Sequence, residues 1–134
     1  MDEKVVSTLA KAIDYPEEVP AGAFSYTFTV DGGRIEASVS KGRLVLKRML
    51  AAAGDVDLAQ FAGYAAGRVL REEAILAYDP ESESLILWQD VPAREDPTLL
   101  RRFFEVFAAS CDWWLARVKG AEASSVIPAM MIRP

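Results

Sequence analysis

Few residues in this chain could carry covalent or acid–base chemistry. Carboxylates are paired at Asp55-Val56-Asp57 and at Glu81-Ser82-Glu83. The first pair has the spacing of some metal loops, and the second could share acid–base work. Asp55-Val56-Asp57, however, lacks the Asp/Asn-Gly continuation of a calcium loop and stands where a helix needs a cap. Glu81 and Glu83 alternate with serines in a turn and read as solvated. No glycine-rich phosphate loop occurs. The chain has no histidine and one cysteine, Cys111. Ser-His-Asp and Cys-His nucleophilic sites are therefore excluded, because both need an imidazole near neutral pKa. A single thiolate cannot build a zinc shell. Tyr78 converges with no second group. The expectation is no enzyme, no metal and no cofactor.

Binding chemistry is better represented. Arg34, Lys41, Arg43, Lys47 and Arg48 cluster, opposed by Glu36. Such a patch is a requirement for nucleic-acid binding. Yet 15 Lys+Arg stand against 20 Asp+Glu, a net charge of -5, and edge strands carry cations to resist aggregation. The patch reads as solvated or as facing an acidic partner, with no nucleic acid expected. The acidic balance of the whole chain favours basic partners at the rim of any binding surface.

These residues are positioned by a clear succession of elements. Val5, Val6, Leu9, Ala12 and Ile13 recur at helical spacing over residues 2–14. Phe24, Tyr26, Phe28 and Val30 then alternate with polar residues, which predicts a strand. Asp31-Gly32-Gly33 predicts a hairpin turn, its adjacent glycines accepting positive φ. Ile35, Ala37 and Val39 form a second strand, and residues 43–49 a third. Gly54 with Asp55 or Asp57 opens a second helix, to about Glu73, whose apolar stripe is Leu58, Phe61, Ala62, Ala65 and Val69. Residues 75–78 and 85–89 pair across the Asp79-Pro80-Glu81-Ser82 turn. Asp96 before Pro97 starts a third helix, with Leu100, Phe103, Phe104, Phe107, Cys111, Trp114, Leu115 and Val118 on its core face. Gly120 is expected to end it. The order αβββαββα gives an α+β domain, a twisted antiparallel sheet flanked by helices. Residues 1–120 form one domain and 121–134 a C-terminal tail.

Two helices hold more apolar surface than one core needs. Ala59, Gly63 and Gly67 recur every four residues, with Ala66 and Leu70 beside them. This ridge lies roughly 130° from the apolar stripe of the same helix. Each helical glycine costs about 1 kcal/mol against alanine, so close backbone approach is implied. Packing on the protein's own sheet or third helix would explain the ridge; so would a helix–helix contact across a homodimer. On the third helix Leu99, Val106 and Trp113 form a second strip, either a wide buried face or a partner site. No apolar run is long enough to span a membrane, and the Met1-Asp2-Glu3-Lys4 start lacks a secretory pattern. A lone cysteine suits a reducing cytoplasm.

The order of elements, the length and the acidity resemble class I type III secretion chaperones, the Tir chaperone (CesT-like) family. The likeness rests on FSYTFTVDGGRIEASVSKGRLVLKRML and ILAYDPESESLILWQDVP, followed by DPTLLRRFFEVFAASCDWWLARV, and spans residues 1–119. The resemblance implies a cytoplasmic homodimer that holds the extended N-terminal segment of a secreted effector without ATP, with the secretion ATPase as a further partner. It places the dimer contact on Ala59, Gly63, Ala66, Gly67 and Leu70, with Leu85, Leu87 or Trp88 nearby. It places the effector on Val5, Leu9, Phe24, Tyr26, Leu44 and Leu46, joined by Trp113 from the strip. The apolar tail Val126–Ile132 departs from the family pattern. The alternative is a protein-interaction module of the bacterial sensory-regulator (YbjN-like) type, without a secreted client.

Overall fold

Period-two alternation and short turns build most of the sheet. The computed structural model describes residues 2–131, with side chains described through residue 120. Helix α1 (Asp2–Ala12) precedes β1 (Ser25–Val30), β2 (Gly33–Ser40) and β3 (Arg43–Ala52). A single 3-10 turn (Ala53–Asp55) leads to α2 (Leu58–Arg68), then β4 (Ile75–Asp79), β5 (Ser84–Pro92) and α3 (Pro97–Met131). The five strands are ordered β1-β2-β3-β5-β4, and each neighbouring pair is antiparallel. The expected α+β order is the observed one.

The turns follow from local chemistry, with one correction. Positive φ falls on Asp31 (50°) and Gly32 (77°), and again on Lys41 (52°) and Gly42 (74°). Both hairpins thus place two left-handed residues at the turn, matching the twist of their strands. Gly33 is not the second turn residue; it opens β2, where the Arg48 guanidinium occupies the space a β-carbon would need. Asp57 caps α2 by accepting from the N–H groups of Ala59 and Gln60 at 3.0 and 3.2 Å. Asp96 does the same for α3 at Thr98 and Leu99. The Asp55-Val56-Asp57 carboxylates are thus used for helix entry, at Asp57.

One face of the sheet makes the core. Phe28, Ile35, Ala37, Leu44, Leu46, Leu87 and Val91 point inward and are covered by Val5, Val6 and Leu9 of α1. From α3 come Leu100, Phe104, Phe107, Cys111, Trp114 and Val118. Phe103 and Leu115, expected on the same face, are only partly buried at its flanks. A register shift between Met49 and Ala51 lets Leu50 and Ala51 both be buried.

Two helix boundaries differ from expectation. α2 ends at Arg68 rather than near Glu73. α3 does not stop at Gly120 and continues to Met131. A glycine inside a helix is disfavoured by about 1 kcal/mol but tolerated when flanked by strong helix formers such as Ala121, Glu122 and Ala123. The side chains of the apolar tail Val126–Ile132 lie outside the described residues.

Leu46 sits on the central strand with no exposed surface. Leu46→Ala is expected to cost about 2–5 kcal/mol in urea unfolding; a loss below that range would remove it from the core.

Candidate functional site

The surface of interest is built around α2. Its register with the core is not the expected one. Of the stripe Leu58, Phe61, Ala62, Ala65 and Val69, only Phe61 is buried. Leu58 is 48% exposed and Val69 70%. The helix instead leans on α3 through Phe61 and Tyr64, whose rings meet Trp114 at 6.0 and 6.5 Å. Hydrophobic period locates an apolar face but not the chain that covers it.

The small-residue ridge is wholly open. Ala59, Gly63, Ala66 and Gly67 are exposed, and Leu70 is 96% exposed. A β-carbon added at Gly63 or Gly67 would meet nothing within 4 Å. Packing against the described residues of the protein's own sheet or α3 therefore does not explain the ridge. Beyond it Ile75 and Tyr78 are each 50% exposed on the edge strand β4. Of the other residues expected at the dimer contact, Leu85 and Leu87 are buried in the core, while Trp88 is partly exposed on the opposite face of the sheet.

The residues expected to face an effector divide similarly. Val5, Leu9, Leu44 and Leu46 have no exposed surface and are core side chains of this chain. They are unavailable to another chain in this conformation. Strand alternation could have separated Leu44 and Leu46, which face in, from Val45 between them, which is half-buried on the outer face. Phe24 is 54% exposed at the start of the sheet, and Tyr26 is half-buried. Tyr26 packs edge-on to Tyr15 and Phe28, and its hydroxyl donates to Glu17. Desolvation first, then the neighbouring Tyr15 and Glu17, pushes the Tyr26 hydroxyl above its ordinary range. Tyr15 also blunts the edge of β1, its hydroxyl accepting from the Thr29 N–H at 3.0 Å.

Trp113 lies where α2 and α3 meet. Guanidinium groups of Arg68 and Arg117 stack on its ring at 3.7 and 3.9 Å from the centroid. With Leu99 and Val106 it lines one side of a groove of about 960 Å³ against residues 68–73. The third-helix strip is thus an open surface, with Val106 49% exposed.

The key polar residue of this region, Glu72, went unnoticed in the sequence. Its carboxylate accepts from Arg68 Nη2 at 3.0 Å, Ser110 Oγ at 2.9 Å and Trp114 Nε1 at 3.0 Å. Burial raises its pKa, but the hydrogen bonds from Arg68, Trp114 and Ser110 outweigh that and hold it below the ordinary carboxyl range. The i,i+4 spacing of Arg68 and Glu72 was readable; the partners on α3 were not.

Burial pushes the Cys111 thiol up to about 12, so it stays protonated and unreactive at neutral pH. Among the described residues no group of three His, Cys, Asp or Glu could hold a metal ion. No helix among them is long and apolar enough to cross a membrane. Arg43 of the cationic cluster pairs with Asp90 at 2.7 Å. Arg34, Glu36 and Lys47 share the outer sheet face.

The fold is that of the chaperones in type III secretion chaperone–effector complexes. The HopA1–SchA chaperone–effector complex matches with a TM-score of 0.67 at 16% identity, over 84% of this chain and 91% of that one. The Yersinia pestis type III secretion chaperone SycH, solved with a fragment of YscM2, matches with a TM-score of 0.60 at 14% identity. That match covers 87% of this chain and 98% of the matched chain. YbjN from E. coli also matches, with a TM-score of 0.51 at 13% identity over 90% of each chain. No protein-family model and no curated protein sequence matches.

Glu72→Ala should cost about 1–3 kcal/mol in urea unfolding, because it leaves the buried Trp114 indole N–H unpaired and a half-buried Arg68 guanidinium without its carboxylate. A carboxyl with a lowered pKa stabilises the fold above its ordinary value, 4.5, and loses that contribution as pH falls through its folded value. The advantage of the wild type over Glu72→Gln should therefore hold from neutral pH down to the ordinary value and shrink as pH falls further. An advantage independent of pH would contradict this role.

Proposed function

We propose that the protein is a type III secretion chaperone. In this reading a homodimer holds the extended N-terminal segment of a secreted effector and keeps it soluble and export-competent, without ATP, in the cytoplasm. One observation carries the proposal: this fold, which it shares with chaperones solved in effector complexes, leaves an apolar face of α2 uncovered. Burying one leucine or valine contributes about 1.5–3 kcal/mol. Leu58, Val69, Leu70 and Ile75 together offer a driving force comparable to the several kcal/mol that association costs.

The dimer contact in this reading is the open ridge of Ala59, Gly63, Ala66, Gly67 and Leu70. Small residues allow two α2 helices to approach closely, and apolar Leu70 and Ile75 seal the margins. Leu85 and Leu87 support that contact from within the core rather than touching the second copy. The client-facing residues are Phe24, Tyr26 and Trp113, while Val5, Leu9, Leu44 and Leu46 hold the framework behind them. The work done is binding. An extended client supplies apolar anchors and backbone groups, and gives up chain entropy as it is ordered. A wide contact is needed to offset that loss.

Co-purification with N-terminal fragments of proteins encoded beside its gene tests the proposal. The expected result is one fragment captured by two copies of the protein and released intact on denaturation. Failure to retain any such fragment would count against the chaperone reading and favour an interaction module without a secreted client.

A further inference from the structure

Residues 57–73 are tied to the rest of the chain by side chains. No backbone hydrogen bond joins them to it among the described residues. Before the segment, the Ala53 N–H anchors the 3-10 turn by donating to the Glu83 carbonyl at 2.9 Å. After it, β4 pairs with β5 from Ile75 onward. Between these anchors Phe61 is the only buried side chain of α2, its ring 6.0 Å from that of Trp114. Tyr64 meets Trp113 and Trp114 edge-on. Arg68 stacks on Trp113, and Glu72 accepts from Arg68, Ser110 and Trp114. Glu73 accepts from Gln89 at 3.2 Å.

The docked position leaves polar groups unmet. Gln89 Oε1 and Arg68 Nε are buried without a hydrogen-bond partner among the described residues. Lifting the segment returns both to water, which offsets part of what is lost with the side-chain contacts. There is also room for it to move. Grooves of about 960 and 330 Å³ both border Arg68, Val69, Glu72 and Glu73. A segment with few buried contacts and no backbone tie opens more readily than a hydrogen-bonded sheet.

We propose that residues 57–73 form a flap that opens and closes as a unit while the sheet stays folded. Its hinges are the 3-10 turn and the stretch just before β4. Its latch is Arg68 and Glu72 on the flap, closed against Ser110, Trp113 and Trp114 of α3. Opening uncovers Phe61 and Trp114 and hydrates Gln89. A second copy seated on the α2 ridge binds the closed flap and so suppresses opening. That last step rests on the dimer reading; the flap itself does not.

Hydrogen exchange followed by mass spectrometry on the intact chain tests the flap. Amides of α2 should exchange about tenfold faster than those of β3 and β5. Their rate should vary little with urea below the unfolding transition, because a small opening exposes little surface. Ile35 is buried on β2, separated from β5 by β3. Ile35→Val should therefore speed exchange in the sheet several-fold and leave α2 unchanged, since it weakens the open and closed forms equally. Glu72→Gln should speed exchange in α2 several-fold. An α2 that exchanges in step with the sheet, in urea and in Ile35→Val, would overturn the proposal. So would a wild-type α2 rate in Glu72→Gln. In the dimer reading, α2 exchange slows as protein concentration rises. A rate independent of concentration, with the other results intact, would reject the dimer contact alone.

Discussion

α2 and the turn that follows it are held to α3 by a few aromatic and polar side chains. Phe61 is the only buried side chain of α2, and one carboxylate, Glu72, ties the following turn to Ser110 and Trp114 of α3. Arg68 joins the two attachments, bonded to Glu72 and stacked on Trp113. Because the attachment is so narrow, α2 is held beside the core without being absorbed into it. Its remaining faces are kept open. A helix packed flat on the sheet would have hidden the glycine ridge and closed the groove beside α3.

The division of labour across the molecule follows from that constraint. The core needs only one face of the sheet, covered by α1 and α3, and the inward side chains of five strands satisfy it. Phe24 and Met49 apart, the large apolar side chains left outside lie in one region. Leu58, Val69, Leu70, Ile75 and Tyr78 gather about α2 and the β4 edge, and Val106 lies across the adjoining groove. Contiguous apolar surface of this kind marks contact with another chain more often than a tolerated defect. The polar groups set among it are a hydrogen-bonded carboxylate and stacked guanidinium groups.

Much of the framework was legible in the residues. Asp57 and Asp96 announce their helices because a side-chain acceptor is needed where backbone N–H groups begin unpaired. Leu100, Phe104, Phe107, Cys111, Trp114 and Val118 declare the buried face of α3 by spacing alone. What failed depended on distance along the chain. The apolar stripe of α2 predicts burial, but among the described residues only Phe61 of it is covered. Val5, Leu9, Leu44 and Leu46 were assigned to a binding surface although strand alternation and helical period already place them inside. Glu72 was silent because its partners on α3 lie about forty residues on. Gln89 was readable in part: Leu85, Leu87, Gln89 and Val91 alternate, which places an amide on the inward face among aliphatic side chains.

The central claim is that the open face of α2 is completed by a second copy of the chain. Sedimentation equilibrium on the wild type and on Gly63→Leu with Gly67→Leu addresses it most directly. A β-carbon at either position meets nothing within 4 Å among the described residues, and each substitution removes a helical glycine that costs about 1 kcal/mol, so the fold itself should persist. The account predicts twice 14.7 kDa for the wild type and 14.7 kDa for the double variant at unchanged helical content. A wild type of 14.7 kDa at micromolar concentration, or a double variant that keeps the doubled mass, would contradict it.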